Sequence, residues 1–330
     1  MMKSTLNVLS EDLQSFREDS QSFREDLRGF VARERPAIER ALRECLPTSS
    51  LNGARRLNGA LEYAVFPGGK RLRPALALVA SDLAGASRAQ GLAVACAVEF
   101  LHSSSLILDD LPSMDDADVR RSRRALHLVY GEGLAVLASV ALLNRAYALL
   151  AEAGAACSRK GAVESLVAEA ARCVGADGMV GGQVVDLETR AGEAEEDALA
   201  CRDLKTLALM RLMMTAGALA CGATGEDACA LADFGECFGR AYQICDDILD
   251  ETVSCELTGK PARQDARHAR PNVAAALGAD SSRLLAEQLI AHGVSRLYTR
   301  FGKREEVRLL AEAASDVLAR AVAPRLAATY

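Results

Sequence analysis

Tryptophan is absent from this 330-residue chain, and Phe, Tyr and Trp together make up only 4% of it. A pocket walled by aromatic faces, the usual way of steadying a bare cation, is therefore not on offer. None of the ten cysteines forms a C-x-x-C pair. That argues against a zinc site or a disulfide framework, and residues such as Cys96, Cys221 and Cys245 read as reduced, small core residues of a cytoplasmic protein. β-Branched residues are sparse beside alanine, leucine and arginine, which favours helix almost throughout. The net charge of −6 argues against non-specific nucleic-acid binding. The opening MMKSTLNVLSEDLQ turns acidic too early to read as a secretory leader. The most apolar stretch, GLAVLASVALL at 133 to 143, reads as too short for a membrane span and as a buried helix.

What is present is acid in two places. In EFLHSSSLILDDLPSMDDADVRRSRR, residues 99 to 124, an apolar helical run ends at Asp109 and Asp110. Pro112 follows, then Asp115, Asp116 and Asp118, and then Arg120, Arg121, Arg123 and Arg124. The proline breaks the helix and lets Asp115 turn back toward the first pair. Far downstream, FGECFGRAYQICDDILDE sets Asp246 and Asp250 one helical turn apart, with Asp247 beside them. One such cluster alone reads as a solvated helix end. Two, each closing an apolar segment, suggest a cage for divalent metal and a polyanion, since desolvated carboxylates need cations. Oxygen-only ligands favour Mg²⁺ over zinc.

A third stretch, GGKRLRP at 68 to 74, is a turn presenting Lys70, Arg71 and Arg73 beside a helix N-terminus, a shape that holds a diphosphate. GGQVVD at 181 to 186 lets two helices approach closely at Gly181 and Gly182 and sets Gln183 and Asp186 toward a cavity. Lys205 and Thr206 lie among apolar residues.

In this order, these segments resemble the signatures of the trans-isoprenyl diphosphate synthases. DDLPSMD is similar to the family's long first aspartate motif and DDILD to its second. The likeness runs from about residue 35 to about 320 and is nearest to the geranylgeranyl-diphosphate-forming members. It implies an all-α, isoprenoid-synthase-type bundle of roughly a dozen helices around a deep central cavity. It also implies a homodimer and three Mg²⁺ ions held by Asp109, Asp110, Asp115, Asp246, Asp247 and Asp250. By the same resemblance, isopentenyl diphosphate falls to Lys70, Arg73, His102 and Arg121. The allylic diphosphate and its cation fall to Arg120, Lys205, Thr206, Gln243 and Lys260. Ser104 and Ser105 stand where an aromatic residue blocks the growing chain in farnesyl-making members. Serines leave room there, so the expected product is the C20 diphosphate, with C15 or C25 as the alternative end points.

The chain departs from the family at Ser122-Arg123-Arg124, where Gly-Lys-Pro is usual, and at Gln264, where a second lysine is common; the later basic position is Arg270. Arg123 and Arg124 are expected to be solvated. A terpenoid cyclase is disfavoured by DDILD and by the lack of aromatics. A non-catalytic partner subunit of a heteromeric synthase is disfavoured by the intact aspartate clusters. Residues 1 to 30 carry a tandem QSFREDS–QSFREDL duplication and a heptad seam. They read as an extension, packing on the domain or a partner or forming a coiled coil, ahead of a synthase domain over 31 to 330.

Overall fold

The computed structural model describes residues 25 to 188, 196 to 252 and 272 to 322. The helices expected from composition form. In chain order they are α1 (Leu27–Cys45), α2 (Arg55–Val65), α3 (Leu72–Leu83), α4 (Arg88–Asp109), α5 (Leu126–Tyr130), α6 (Glu132–Ala155), α7 (Ala162–Val174) and α8 (Met179–Glu188). They continue with α9 (Glu196–Cys221), α10 (Gly225–Thr252), α11 (Val273–Leu277), α12 (Ala279–Phe301) and α13 (Glu305–Val322). Between α4 and α5 lies a short hairpin, β1 (Val119–Arg120) with β2 (Arg123–Arg124), in which Arg120 pairs with Arg123.

α4 is the axis. A capping box fixes its start: Ser87 accepts from the Gln90 backbone, and the Gln90 side chain returns to Ser87. The same Gln90 amide donates to the carbonyls of Ala153 and Ala220, at 3.1 and 2.7 Å. One side chain thus satisfies orphan acceptors in the last turns of α6 and α9 and ties three helix ends together. α4 packs on α3, α6 and α9, and α9 in turn packs on α8 and α10. The interior surface of α4 is small and apolar, with Val94, Ala95, Ala97, Val98, Phe100 and Leu101 fully buried. α1 crosses residue 30: Leu27 and Phe30 are buried in the core, and the Leu27 amide bonds to Glu312 of α13 at 3.1 Å. Residues 1 to 24, with the duplicated heptads, and Lys260, Gln264 and Arg270 lie outside the described residues.

The run at 133 to 143 is helical, but it is not simply buried. Val136, Leu137 and Val140 are exposed on α6. The helix around this run has 24 residues, and by length and composition it is apolar enough to cross a membrane, as are Arg88–Asp109 and Leu204–Cys221. A reading from the eleven-residue run alone underestimated these helices, because flanking neutral residues extend the apolar window.

Candidate active site

The GGKRLRP turn sorts its three cations. Arg71 adopts a left-handed backbone, φ 61°, which swings its side chain inward. It is 2% exposed and pairs with Glu99 and with Glu39, the latter at 2.7 Å, while donating to the Val65 carbonyl at 2.7 Å. Gly68 has no room for a Cβ under this guanidinium, and its own φ is +73°. The turn therefore presents two cations, not three: Arg71 braces it from within. Lys70 is exposed, and Arg73 is half-buried on α3.

Arg73 reaches α4. Its Nη1 lies 3.4 Å from His102 Nε2. A guanidinium has only donors, so Nε2 is the acceptor and the ring proton sits on Nδ1. Burial, and then the charges of Arg73, Arg121, Arg120 and Arg71, hold the His102 pKa well below its ordinary value. His102 is thus neutral at pH 7. Arg73 Nε is buried with no hydrogen-bond partner among the described residues. Arg121 stands over Gly69, about 3.6 Å from where a Cβ would be. Burial and its arginine neighbours depress its pKa while Glu99 opposes them. An orphaned buried donor in such a field is what an anion site looks like before the anion arrives.

The first aspartate motif behaves as its spacing suggests. α4 ends at Asp109, and the loop folds back so that the Asp115 amide donates to the Asp109 carbonyl at 2.9 Å. Burial pushes the Asp109 carboxyl above the usual carboxylate range; Lys205 pulls it back and Asp115 adds to the rise. Lys205 Nζ lies 3.3 Å from Asp109 and 3.8 Å from Asp186. This meeting depends on Gly182. A Cβ there would lie 2.4 Å from the Lys205 backbone nitrogen, so α8 rests directly on α9. Asp110, 3% exposed, is gripped by Arg120, whose Nε is 2.9 and 3.2 Å from the two carboxylate oxygens. An expected metal ligand and an expected phosphate ligand thus start as partners.

The second motif divides. Asp246 is exposed and Asp250 half-buried, one turn apart on α10. Asp247 is 1% exposed and faces inward. It accepts from Gln243 Nε2 and from the Val273 amide, both at 2.9 Å, while Asn272 donates to its carbonyl at 3.3 Å. It pins the start of α11 to α10. Gln243 Oε1 in turn accepts from the Thr206 hydroxyl at 3.2 Å, linking α10 to α9. Tyr242 places its ring 5.9 Å from the Arg73 guanidinium, a neighbour that sequence spacing gave no sign of.

Two expectations are corrected. Ser104 does not line open space: its Oγ is 2.8 Å from Ser139 Oγ of α6, and the Ser139 hydroxyl also donates to the Ser104 carbonyl at 3.1 Å. Two hydroxyls satisfy each other and close that seam. Ser105, bonded to the His102 carbonyl at 2.9 Å, stays on the face shared by His102 and Asp109. Arg123 is not merely solvated either. It stacks 3.7 Å over the Tyr63 ring and donates to the Phe66 carbonyl at 2.7 Å, forming a wall of a small cleft also lined by Asp110, Arg120 and Arg121.

Among the described residues, no three histidine, cysteine or carboxylate groups stand close enough to hold a metal by themselves. Carboxylates are the donors Mg²⁺ takes, one or two at a time, with substrate phosphate and water completing its shell. The half-buried Asp109 carboxylate, its charge offset by Lys205 and Arg120, is an oxygen donor of that kind.

A helical bundle with an acidic motif on each of two helices that both pack on α9, and a cluster of buried and half-buried arginines beside the first, is the frame of a prenyl-transferring enzyme. Solved structures agree: a synthase of farnesyl and geranylfarnesyl diphosphates from Zymomonas mobilis matches with TM-score 0.77 at 29% identity, over 88% of this chain and 98% of its own. A polyprenyl synthase from Caulobacter crescentus, complexed with calcium and isoprenyl diphosphate, matches with TM-score 0.73 at 25% identity, over 89% and 97%. A geranylgeranyl pyrophosphate synthase of Arabidopsis thaliana is 35% identical over 272 residues, 81% of this chain and 75% of that protein. One from Catharanthus roseus is 39% identical over 236 residues, 71% and 66%. The polyprenyl synthetase family model matches residues 54–295. The chain belongs to the polyprenyl synthetase family and is a prenyltransferase.

Proposed function

We propose that this enzyme condenses isopentenyl diphosphate head-to-tail with dimethylallyl, geranyl and farnesyl diphosphates, in a Mg²⁺-dependent reaction ending at geranylgeranyl diphosphate. The observation that carries the reading is Arg73. It is half-buried between His102 and Tyr242 with an orphaned Nε, against the α4 face that leads to a paired-acid motif whose own cations are Lys205 and Arg120. These two groups support a reading with two diphosphate sites of different character along α4.

Lys70, Arg73 and Arg121 bind isopentenyl diphosphate, and neutral His102 fixes the Arg73 fork. Asp109, Asp110 and Asp115 on one side and Asp246 and Asp250 on the other hold the metal ions; Asp247 supports them by setting α10 against α11. Bound Mg²⁺ neutralises the allylic diphosphate and so makes it a leaving group. Arg120 exchanges Asp110 for phosphate oxygens. Lys205, Thr206 and Gln243 present the ammonium, hydroxyl and amide dipoles that face the developing allylic cation and the departing diphosphate, and Lys260 adds a further cation. The double bond is held against the cation by the two phosphate anchors, which supplies the orientation term of catalysis. No side chain is needed as base, since the released diphosphate can take the proton.

A C20 end point is supported by Ser105, which puts a small residue one turn below Asp109, and by the names of the curated relatives. Exposed Val136, Leu137 and Val140 on α6 support a homodimer in which a second copy covers that face. The location we favour is the cytoplasm, although relatives named chloroplastic and mitochondrial exist. Ser105→Phe tests the length argument: products should shorten from C20 to C15 at retained turnover. An unchanged C20 product would sink the role of Ser105.

A further inference from the structure

Every nitrogen of the Arg71 guanidinium is committed inside the protein. Nε donates to Glu39 of α1 at 2.7 Å, Nη1 to Glu99 of α4, and Nη2 to the carbonyls of Val65 at 2.7 Å and Pro67 at 3.4 Å. One side chain thus joins α1, the end of α2, the turn and α4. Its guanidinium fills the space under Gly68, where a Cβ would lie 2.2 Å from Arg71 Cζ. The two carboxylates differ in depth. The Glu39 side chain is 19% exposed and that of Glu99 only 3%. Glu99 lies about one helical turn before His102, hence on the α4 face that meets Arg73.

We infer that, given isopentenyl diphosphate at Lys70, Arg73 and Arg121 as proposed above, Glu99 is a positioning residue for that substrate: through Arg71 it holds the GGKRLRP turn in the shape that presents Lys70 and Arg73. Stability alone does not call for a buried carboxylate here, since an apolar replacement of a buried ion pair is often neutral or stabilising. What an apolar pair lacks is charge. Arg71, Arg73 and Arg121 gather around His102, and like charges so close repel one another. The Glu99 carboxylate takes up Arg71 and offsets one of those charges, and it also favours the charged form of Arg121. Arg73 Nε, by contrast, has no partner among the described residues. The inner cation is tied to the fold, and the outer ones are left for phosphate.

Preorganisation is the consequence. Arg71 takes a left-handed backbone, φ 61°, which is unfavourable for a non-glycine residue and persists only where its surroundings hold it. With Glu99 in place, the turn has that shape before substrate arrives. Without the Glu99 charge, Arg71 stays in a dry site with Glu39 as its remaining anionic partner. The guanidinium is then drawn outward to water, and the turn follows, because Gly68 packs on it and Lys70 immediately precedes it. Binding must reorder the turn, and that cost falls on isopentenyl diphosphate. It does not fall on the allylic diphosphate, whose proposed anchors Lys205 and Arg120 are held by Asp109, Asp186 and Asp110 instead.

The full chain is assayed with Mg²⁺, varying isopentenyl diphosphate at saturating farnesyl diphosphate and then the reverse, and is titrated calorimetrically with isopentenyl diphosphate. Glu99→Gln keeps an acceptor for Arg71 but no charge. It should raise the KM and Kd for isopentenyl diphosphate by about tenfold, with kcat and the KM for farnesyl diphosphate within about twofold of the parent. Glu99→Asp should restore most of the loss. Glu39→Gln, at the more accessible partner, should move the same constants in the same direction by less, and it reads the effect where Glu99→Gln folds poorly. Gln90→Ala, which unties the ends of α4, α6 and α9, should lower Tm and leave the KM for isopentenyl diphosphate unchanged. Parental KM for isopentenyl diphosphate in Glu99→Gln and Glu39→Gln, with Arg73→Ala still impairing it, would overturn the role of Glu99 alone. An equal loss for both substrates, or the same rise in Gln90→Ala, would also overturn it, as an effect of general destabilisation. A parent chain that neither binds nor elongates isopentenyl diphosphate would overturn the site reading and the Glu99 role together.

Discussion

Asp246 and Asp247 are adjacent in DDILD, yet the fold assigns them opposite tasks, and Asp247→Ala exposes the difference. Asp247 accepts two hydrogen bonds at 2.9 Å, from the Gln243 amide and the Val273 backbone, in a place with 1% exposure. Removing the carboxylate loses both and strands two buried donors. At roughly 1.5–3 kcal/mol for each hydrogen bond to a charged group, the loss is about 3–6 kcal/mol. For a chain of this size that corresponds to a fall in Tm of roughly 6–12 °C, at about 2 °C per kcal/mol. Asp247→Asn keeps an acceptor for Val273 but sets amide against amide unless Gln243 flips, so it should cost about half as much. Asp246 is exposed, and Asp246→Ala should shift stability by no more than about 0.5 kcal/mol. Its activity should nonetheless fall on the order of 100-fold or more, because a proposed metal ligand is gone. Thermal unfolding without substrate, followed by elongation rates with isopentenyl and farnesyl diphosphates, reads both. Equal Tm losses for the two alanine variants, or an Asp247→Ala as stable as the parent, would refute the division.

Three further outcomes follow from the same geometry. His102 has a folded pKa well below its unfolded value near 6.5, so below pH 6.5 the unfolded chain takes up a proton that the native one refuses. Stability is therefore intact above pH 6.5 and falls as pH drops, by up to about 1.4 kcal/mol per unit for this one group; urea unfolding at pH 5 and 7 should show His102→Gln losing less than the parent. Gly182→Ala puts a methyl group 2.4 Å from the Lys205 nitrogen and should cost about 1–3 kcal/mol by overpacking, with a drop in kcat as Lys205 leaves Asp109; wild-type kcat and Tm would contradict the close approach. Arg71→Ala strands Glu99, 2% exposed, and should cost about 3–5 kcal/mol, whereas Lys70→Ala on the exposed neighbour should raise the KM for isopentenyl diphosphate and leave Tm unchanged.

The helical class, the ending of α4 ahead of Pro112, and the return of Asp115 to Asp109 were legible because each depends on residues within one or two turns. Of the two close approaches read from Gly181-Gly182, the one at Gly182 forms, whereas Gly181 instead leaves room for the Ala176 carbonyl. What stayed hidden depends on distant partners. Nothing near Ser104 announces Ser139, 35 residues on, and nothing in GGKRLRP says that its middle arginine turns inward to Glu99. DDILD reads as a triad of equals until Val273, beyond a long connection, claims Asp247. Arg123 looks like surplus charge until the hairpin sets it over Tyr63. Local periodicity fixes which face a residue shares, while the partner across the interface comes from topology.

The most direct measurement offers purified enzyme, Mg²⁺ and isopentenyl diphosphate with dimethylallyl, geranyl or farnesyl diphosphate in turn, and sizes the products by mass spectrometry. A C20 diphosphate from all three primers is the predicted result. Folded enzyme that elongates none of them would contradict the catalytic account and leave a partner-subunit role, and a C15 or C25 end point would contradict the C20 assignment that rests on Ser105.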